Sequence, residues 1–595
     1  MARITKPKVD ILLVGLGWTN SVMAMELAAS GLTILALERG EDRNTVPDFS
    51  FPKMADELSY AVRLKLMQDL STETVTVRRH EQEQALPYRS MGAFLPGTGV
   101  GGAGVHWGAY TFRPLPEELR LRSYITEKFG AEIIPEEMTI ADYPVTYDEL
   151  EPFITRFEQI VGVSGLGGNI DGKPVKGGNP FEGKRSAPLP LPPLKKTYNV
   201  SLFEQAAKQM GYHPYPTPAG IASAAYKNPY GMQLGPCNFC GFCDHYGCLN
   251  YSKASPQTCV LDALKRYPNF SYLTQCVVTK VNLDEQGHTA TGVTYFDAVG
   301  NEIIQPADLV ILGAFPFSNV RLLLLSGIGQ PYDPKTGRGA VGKNFAYQTT
   351  GAVSLTFRNK QFNTFIGAGA NCVGIDDFAT SQNDFVKCGF IGGAIIKTSQ
   401  SGSGPIKGTP VPPGTAQWGS AWKQAVIENY GHTMSISVHG SNMSYRHNYL
   451  SLDPVYKDKY GLPLLRMTFN WHDNDLKMLD FMRQRAEEIG RSMQPDSMHA
   501  SFKPLGSQFD VRPYQTTHVV GGAIMGDDPQ TSVVNKYCQS WDVPNLFVIG
   551  ASAFPQNQQY NPTGLAGALT LFAAQAIRDR YLTSPAPLVP SKKEA

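Results

Sequence analysis

The chain has 595 residues, of which 42% are hydrophobic, enough for at least one large buried core and, by length, for two or more domains. Its 53 Lys and Arg residues balance 52 Asp and Glu residues, and a net charge of +1 without a basic stripe argues against a nucleic-acid partner. The sequence contains no apolar run of about 20 residues, which excludes a membrane-spanning helix.

The first predicted element is a buried strand over residues 9–14, preceded by a short basic start. This start has neither a cleavage site nor a twin-arginine pair, so we expect a strand rather than a secretion signal, and a chain that by itself stays in the cytoplasm. A glycine turn and a helix to residue 30 follow. Gly15 permits the tight turn, Gly17 lets the backbone approach a pyrophosphate, and Asn20 replaces the usual third glycine of this motif.

A second strand is predicted over residues 32–37, and Glu38 closes it. An acidic side chain at this spacing is typical of a residue that accepts hydrogen bonds from a ribose 2′-OH. The strand, glycine turn, helix, strand and acidic residue together predict a dinucleotide-binding unit. A further glycine-rich segment at residues 96–108 predicts another close approach of the backbone to a cofactor, which favours FAD over NAD.

Four of the nine cysteines stand together in the sequence GPCNFCGFCDHYGC, at Cys237, Cys240, Cys243 and Cys248. Their spacing is similar to the bacterial iron–sulfur run, except that the last gap is one residue longer and Leu249 stands in place of proline. An iron–sulfur cluster is the favoured interpretation. A structural zinc site and disulfides or free thiols remain alternatives.

Near the C-terminus, residues 545–552 are predicted to form a buried strand that ends in small residues, before a loop at 561–564 and a helix over 565–581. Upstream, His518 enters another glycine-rich turn. An imidazole with an ordinary pKa of about 6.5 suits a proton acceptor near neutral pH.

Over nearly its whole length the chain resembles the glucose-methanol-choline (GMC) flavin oxidoreductases. The motifs that carry this resemblance are GLGWTN, ALERG, GVGGAGVHW, ADLVILGAF, RLLLLSGIG, THVVGGAIMG and NPTG. It implies an α/β fold in which a Rossmann-like FAD-binding domain, residues 1–347 with 506–582, includes an iron–sulfur loop at 235–259. An α+β substrate domain with an antiparallel sheet, residues 348–505, is inserted into it, and residues 583–595 form a flexible tail.

The resemblance also implies the chemistry. A substrate C–H delivers hydride to flavin N5 while His518 takes the hydroxyl proton, and Asn561, an amide, orients the substrate oxygen. His106 either bonds covalently to the flavin or packs beside it, since Val105 replaces the threonine that precedes the flavin-linked histidine of a sugar-oxidising member. The implied cofactor residues are Gly15, Gly17, Asn20, Glu38, Arg39, Gly101, Gly102, His106, Trp107, Gly108, Val278, Gly313, Gly550, Ala551, Pro562 and Thr563.

Within the family, the motifs are most similar to those of the flavoprotein subunits of bacterial gluconate, ketogluconate and sorbitol dehydrogenases. This implies oxidation of a sugar acid or polyol, with gluconate favoured over 2-ketogluconate, sorbitol and fructose. It also implies a 3Fe-4S cluster rather than 4Fe-4S. The implied partners are a small subunit with an export signal and a membrane-anchored multihaem cytochrome c, at the periplasmic face of the inner membrane.

Two other hypotheses stay open at this point. One is a flavin sugar oxidase with a structural zinc site, and the other is a non-catalytic flavin-binding or assembly protein. A gluconate carboxylate requires a nearby cation, for which Arg446 and His447 are candidates.

Overall fold

A computed structural model describes residues 3–50, 53, 56–62, 64–71, 73–89, 94–402 and 411–590. The predicted tail lies partly outside these ranges. Within them, Leu588 is buried, and its backbone N–H donates to Gln539 Oε1 at 2.7 Å. The tail is therefore attached to the body of the protein at Leu588, and the flexibility expected of residues 583–595 stays a prediction.

The first sheet carries the predicted glycine turn. Its eight strands are Arg3–Thr5, Val9–Val14, Ile34–Leu37, Phe270–Leu273, Val277–Leu283, Ala290–Phe296, Glu302–Leu312 and Leu546–Val548. Val9–Val14 runs parallel to both neighbours, Ile34–Leu37 and Glu302–Leu312. A strand buried between parallel neighbours has helices on both faces, which explains its continuous apolar sequence.

The two ends of the chain meet in this sheet. Leu546–Val548 lies parallel to Glu302–Leu312, on the side opposite to Val9–Val14. The following helix, Thr563–Ala576, packs against Trp18–Ala28, the helix that begins at the glycine turn. The predicted return of the C-terminus to the cofactor-binding unit is therefore present.

The second sheet is antiparallel throughout. Its six strands are Tyr215–Pro216, Thr349–Thr356, Cys372–Ile375, Ala394–Ser399, Thr433–Gly440 and Ser497–Ser501. One face is covered by Asp473–Ser492 and Tyr198–Gln209. This α+β unit confirms the predicted fold class, although Tyr198–Gln209 and Tyr215–Pro216 come from the segment that the sequence assigned to the cofactor domain.

The remaining strands form smaller units. A four-stranded sheet contains Thr76–Arg78, Leu86–Pro87, Tyr449–Lys457 and Pro463–Thr468, and three pairs are Asn169–Ile170 with Lys173–Pro174, Tyr226–Lys227 with Gln233–Leu234, and Ala346–Tyr347 with Val519–Val520. The other α-helices are Thr45–Asp48, Pro116–Leu119, Leu121–Phe129, Tyr147–Val161, Asp262–Leu264, Pro316–Ser326, Phe385–Cys388 and Gly419–Asn429. Among the described residues, no helix combines the length and apolar character that crossing a bilayer requires.

A buried ion cluster fixes the helix Tyr147–Val161 to Arg113 and Arg185, which lie on either side of it in the sequence. Glu158 accepts hydrogen bonds from Arg113 at 2.8 Å and from Arg185 at 2.9 Å, and Arg113 also pairs with Glu151 at 2.8 Å. The side chains of Glu158, Arg113 and Arg185 are exposed by only 4%, 3% and 1%. Each buried charge therefore depends on its partners rather than on water.

We expect Glu158→Ala to lower the free energy of unfolding by about 3–5 kcal/mol, because it removes a carboxylate that two buried guanidinium groups share. The loss is measured as a lower melting temperature of the purified protein. Glu127→Ala is the control, since Glu127 pairs with Arg120 at the surface and should contribute no more than about 1 kcal/mol. Equal losses in the two variants would contradict this account of the cluster.

Candidate active site

A cavity of about 620 Å³ lies between the glycine turn of the first sheet and the uncovered face of the second, within the size range of small-molecule and cofactor sites. It brings together most of the residues predicted from the sequence. These are Gly15, Gly17, Glu38, Arg39, Gly102, His106, Trp107, Gly108, Val278, Gly313, Gly550, Ala551, Pro562, Thr563, His518 and Asn561.

The glycine turn presents bare backbone to the cavity. Gly15 has φ +86°, a left-handed conformation that favours glycine, and a Cβ at Gly17 would meet no atom within 4 Å. The helix Trp18–Ala28 begins here without a side-chain cap, so its first N–H groups are available to an anion. This open turn fits the pyrophosphate of a dinucleotide.

Glu38 holds the turn and the second glycine segment together. Its carboxylate accepts N–H groups from Leu16 at 2.9 Å, Gly40 at 2.9 Å and Gly99 at 3.3 Å. The N–H of Gly101 donates to the carbonyl of Leu16 at 2.8 Å. The two glycine-rich segments are therefore neighbours, as expected if both approach one cofactor.

Two predicted cofactor residues do not line the cavity. Asn20 is fully buried behind the turn, where its Nδ2 donates to the carbonyls of Val14 and Gly15, both at 2.8 Å. Gly101 serves the contact with Leu16 instead. Both residues shape the turn from outside the cavity.

His106 lies on the cavity wall and is 5% exposed. Burial, together with the nearby His245 and Lys253, lowers the pKa of His106 to about 3, so its ring is neutral. Its Nε2 has no hydrogen-bond partner among the described residues. Nε2 of His106 is therefore free to contact a flavin, as predicted from the sequence. Its covalent attachment to a flavin stays a prediction.

The imidazole of His518 is held at both ring nitrogens. Nδ1 contacts Gln348 Oε1, an acceptor, so Nδ1 carries the proton. Nε2 lies 3.0 Å from Asn561 Nδ2, a donor, so its lone pair accepts that N–H at the wall of the cavity. Asn561 Oδ1 is buried and has no hydrogen-bond partner in the described part of the chain. A hydroxyl that displaces Asn561 Nδ2 from this contact can donate to Nε2, and the freed N–H of Asn561 can donate to the hydroxyl oxygen.

The pKa of His518 is lowered to about 3, first by burial and then by the positive charge of Lys397. The ring is therefore neutral at physiological pH, as a proton acceptor must be. His439 lies beside it, with ring centroids 6.3 Å apart, and burial likewise holds the pKa of His439 well below its usual value.

Four polar side chains that the sequence did not identify line the opposite wall: Lys397, Ser399, Ser437 and His439. They stand at alternate positions on two paired strands of the second sheet and so share one face. Arg446 and His447, the cations considered from the sequence, do not line the cavity, and His447 instead pairs with Glu137 at 3.2 Å. A lysine directly after the apolar run AII of strand Ala394–Ser399 was the only sequence signal for this wall.

The cysteine loop is attached to this site through Lys253. This residue is 1% exposed, and its ammonium group donates to the carbonyls of Cys243 and Tyr246, both at 2.7 Å, and of Trp107 at 3.1 Å. The N–H of His245 donates to the carbonyl of His106 at 2.9 Å. Because Asp244 and His245 also line the cavity, the loop forms part of the cavity wall.

The four thiols of the loop are free, and burial raises the pKa of Cys237 to about 11 and that of Cys243 further. Two sulfurs accept backbone N–H groups at 3.4 Å, Cys237 from Phe239 and Cys248 from Lys253, and such hydrogen bonds are typical of iron–sulfur ligands. Among the residues with described positions, no three His, Cys, Asp or Glu side chains are arranged to ligate one metal ion. The four thiols are the type of donor that an iron–sulfur cluster requires, and their ligation of a cluster stays a prediction.

Comparisons with known proteins place this geometry in a family. The family models described as GMC oxidoreductase match residues 146–350 and 444–570. The chain is 52% identical to the gluconate 2-dehydrogenase flavoprotein of Pantoea cypripedii, over 98% of this chain and 95% of that one. It is 24% identical to the fructose dehydrogenase large subunit of Gluconobacter japonicus, over 96% and 97% of the two chains.

The fold is also that of solved structures. A formate oxidase of Aspergillus oryzae RIB40, solved to study FAD modification, superposes with a TM-score of 0.58 at 14% identity, covering 98% of this chain and 100% of that one. The glycine turn, the neutral His518 and Asn561 lie in one cavity, so the geometry of the site agrees with the family match. The chain belongs to the GMC oxidoreductase family, the FAD-dependent enzymes that act on CH–OH groups.

Proposed function

We propose that this enzyme is a dehydrogenase of sugar acids or polyols that oxidises gluconate to 2-ketogluconate. The observation that carries the proposal is the neutral His518, whose Nε2 faces the cavity next to Asn561. The 52% identity to a gluconate 2-dehydrogenase flavoprotein supports gluconate over 2-ketogluconate, sorbitol and fructose. The non-catalytic alternative does not explain why both nitrogens of His518 are positioned.

The residues of this chain would act as follows. FAD, when bound, supplies a hydride acceptor at flavin N5. Gln348 fixes the tautomer of His518 by accepting Nδ1–H, so Nε2 can take the hydroxyl proton as the C–H bond breaks. Asn561 Nδ2 can donate a hydrogen bond to the same oxygen and hold it in place. Asn561 is not a second base, since an amide does not accept a proton at neutral pH.

We expect His518→Ala to slow flavin reduction by gluconate by about 10²–10⁴-fold, because the general base is lost. The rate is measured anaerobically in a single turnover, with flavin content determined for each variant. His213→Ala is the control, since this exposed histidine pairs with Asp377 outside the cavity. A His518 variant that holds flavin and is reduced at the unchanged rate would support the non-catalytic alternative or another base.

The lowered pKa of His518 predicts the pH dependence of the same step. Because the group is already unprotonated above a pKa of about 3, the rate should not fall between pH 7 and pH 5. An ordinary histidine would become protonated with a midpoint near pH 6.5 and the rate would fall about tenfold or more over this interval. Such a fall in the single-turnover rate would show that His518 is not held neutral.

We further propose that Cys237, Cys240, Cys243 and Cys248 hold an iron–sulfur cluster of the 3Fe-4S type. The support is the cysteine spacing, the N–H groups donated to two of the sulfurs, and the attachment of the loop to Trp107 through Lys253. Such a cluster carries one electron at a time. A structural zinc site in the same loop, with oxygen as the electron acceptor, is the competing proposal.

We expect the protein purified without air to contain about three to four iron atoms per chain, together with acid-labile sulfide. Cys240→Ser should remove most of this iron, whereas Cys388→Ser, a cysteine outside the loop, should retain it. Metal analysis measures both. Zinc in place of iron, together with hydrogen peroxide formed during turnover, would support the oxidase alternative.

We also propose that electrons leave towards a membrane-anchored multihaem cytochrome c, and that a small subunit with an export signal carries this chain to the periplasmic face. Apolar side chains are exposed beside the loop: Phe365 is 61% and Ile366 37% exposed, and the neighbouring Gly367 pairs with Cys240. Exposed apolar groups at this position suit a partner. The export proposal would be wrong if this chain reached the periplasm without the small subunit.

A further inference from the structure

Lys397 is a buried cation that the protein itself does not pair. It is 2% exposed, and among the described residues its Nζ has neither a hydrogen-bond partner nor an ion-pair partner within 4.0 Å. The nearest described interaction is with the ring of Tyr110, whose centroid lies 3.8 Å from Nζ. Burial of an ammonium group without such partners is costly, so its retention requires an explanation.

The surroundings of Lys397 place it inside the reaction cavity. Strand Ala394–Ser399 presents Lys397 and Ser399 to the cavity, and the paired strand presents Ser437 and His439. The titratable groups whose charge acts on or is affected by Lys397 are Cys372, Asp244, Asp376, Tyr110, His439 and His518. None of the acidic groups among them forms an ion pair or a hydrogen bond with the Nζ of Lys397, so a negative group that arrives with the substrate would be its first close counter-charge.

We propose that Lys397 binds the carboxylate of the substrate and thereby selects 2-hydroxy sugar acids over neutral polyols. The inference rests on the proposed function, which it narrows to one substrate class. In a 2-hydroxy acid the carboxylate is bonded directly to the carbon that is oxidised, so the cation that binds it must lie near the base. Lys397 meets this condition because it faces the same cavity as His518 and Asn561.

The contact with the ring of Tyr110 explains only in part why Lys397 can be buried. A ring face attracts an ammonium group, but it accepts none of the three N–H bonds that the group can donate. Lys253 shows how this fold satisfies a buried lysine when its role is structural, since that ammonium group donates to three carbonyl oxygens. Lys397 has no such set, which leaves its donors available to a carboxylate.

The experiment compares Lys397→Met with wild type by anaerobic stopped-flow reduction of the flavin, using gluconate and the neutral polyol sorbitol. We expect the ratio of the Kd for gluconate to the Kd for sorbitol to rise about 100-fold, because a buried charge-assisted contact with the carboxylate is lost. Lys397→Arg should restore part of the preference. Lys503→Met is the matched control, since this lysine lies over Trp471 and outside the cavity.

Two further readouts do not depend on the catalytic properties of the variant. Lys397→Met should melt at the same or a higher temperature than wild type, because the change removes an unpaired buried charge, whereas loss of a structural lysine would lower the melting temperature. In the wild type, burial lowers the pKa of Lys397 to about 8, so the lysine loses its charge as the pH rises above that value. We expect kcat/KM for gluconate to fall over this range, and the ratio of kcat/KM for gluconate to kcat/KM for sorbitol to fall as well.

The outcomes separate the inference from the function on which it rests. Wild-type flavin that is reduced by gluconate, with an unchanged gluconate-to-sorbitol ratio in Lys397→Met, would overturn the role of Lys397 and leave the function intact. Wild type reduced by sorbitol but by no sugar acid would overturn both the gluconate assignment and the inference. Flavin that is reduced by no sugar acid or polyol would overturn the proposed function itself.

Discussion

The site depends on one constraint, the fixing of the His518 ring at both nitrogens. Its two partners come from distant parts of the chain, and the pairing of Ala346–Tyr347 with Val519–Val520 brings the neighbouring Gln348 and His518 together. Asn561 lies two residues before Thr563–Ala576, the helix that packs against Trp18–Ala28. Both the start of the second sheet and the C-terminal helix of the first unit must therefore be in place before the base is positioned.

Two lysines of this chain are both buried but differ in their hydrogen-bond partners, and this difference points to different roles. Lys253 donates to three carbonyl oxygens and ties the cysteine loop to the cofactor side of the cavity. Lys397 lines the opposite wall of the cavity and has no such partners among the described residues. The charge of Lys397 also helps to lower the pKa of His518, so a substrate carboxylate that pairs with Lys397 would make the base more effective as it binds.

Much of the cofactor side could be predicted from the sequence, because its signals are local. The buried strand, Gly15, Gly17 and the helix after them form one continuous segment, and the structure confirms these elements. The substrate wall could not be predicted in this way. Lys397 and His439 meet only because two strands pair, and which side of a strand faces a cavity is decided by the packing of the opposite face. For the same reason the sequence could not show that Tyr198–Gln209 packs on the second sheet.

Asn20 shows a different limit of the sequence. Its position in the glycine motif predicted a cofactor contact, but the residue is buried behind the turn and its Nδ2 donates to the carbonyls of Val14 and Gly15. The central claim is that this cavity holds a flavin that a sugar acid reduces through His518. Anaerobic absorption at the flavin band, before and after gluconate is added, tests it most directly. The account predicts rapid bleaching with gluconate, and a bound flavin that is bleached by neither gluconate, 2-ketogluconate, sorbitol nor fructose would contradict it.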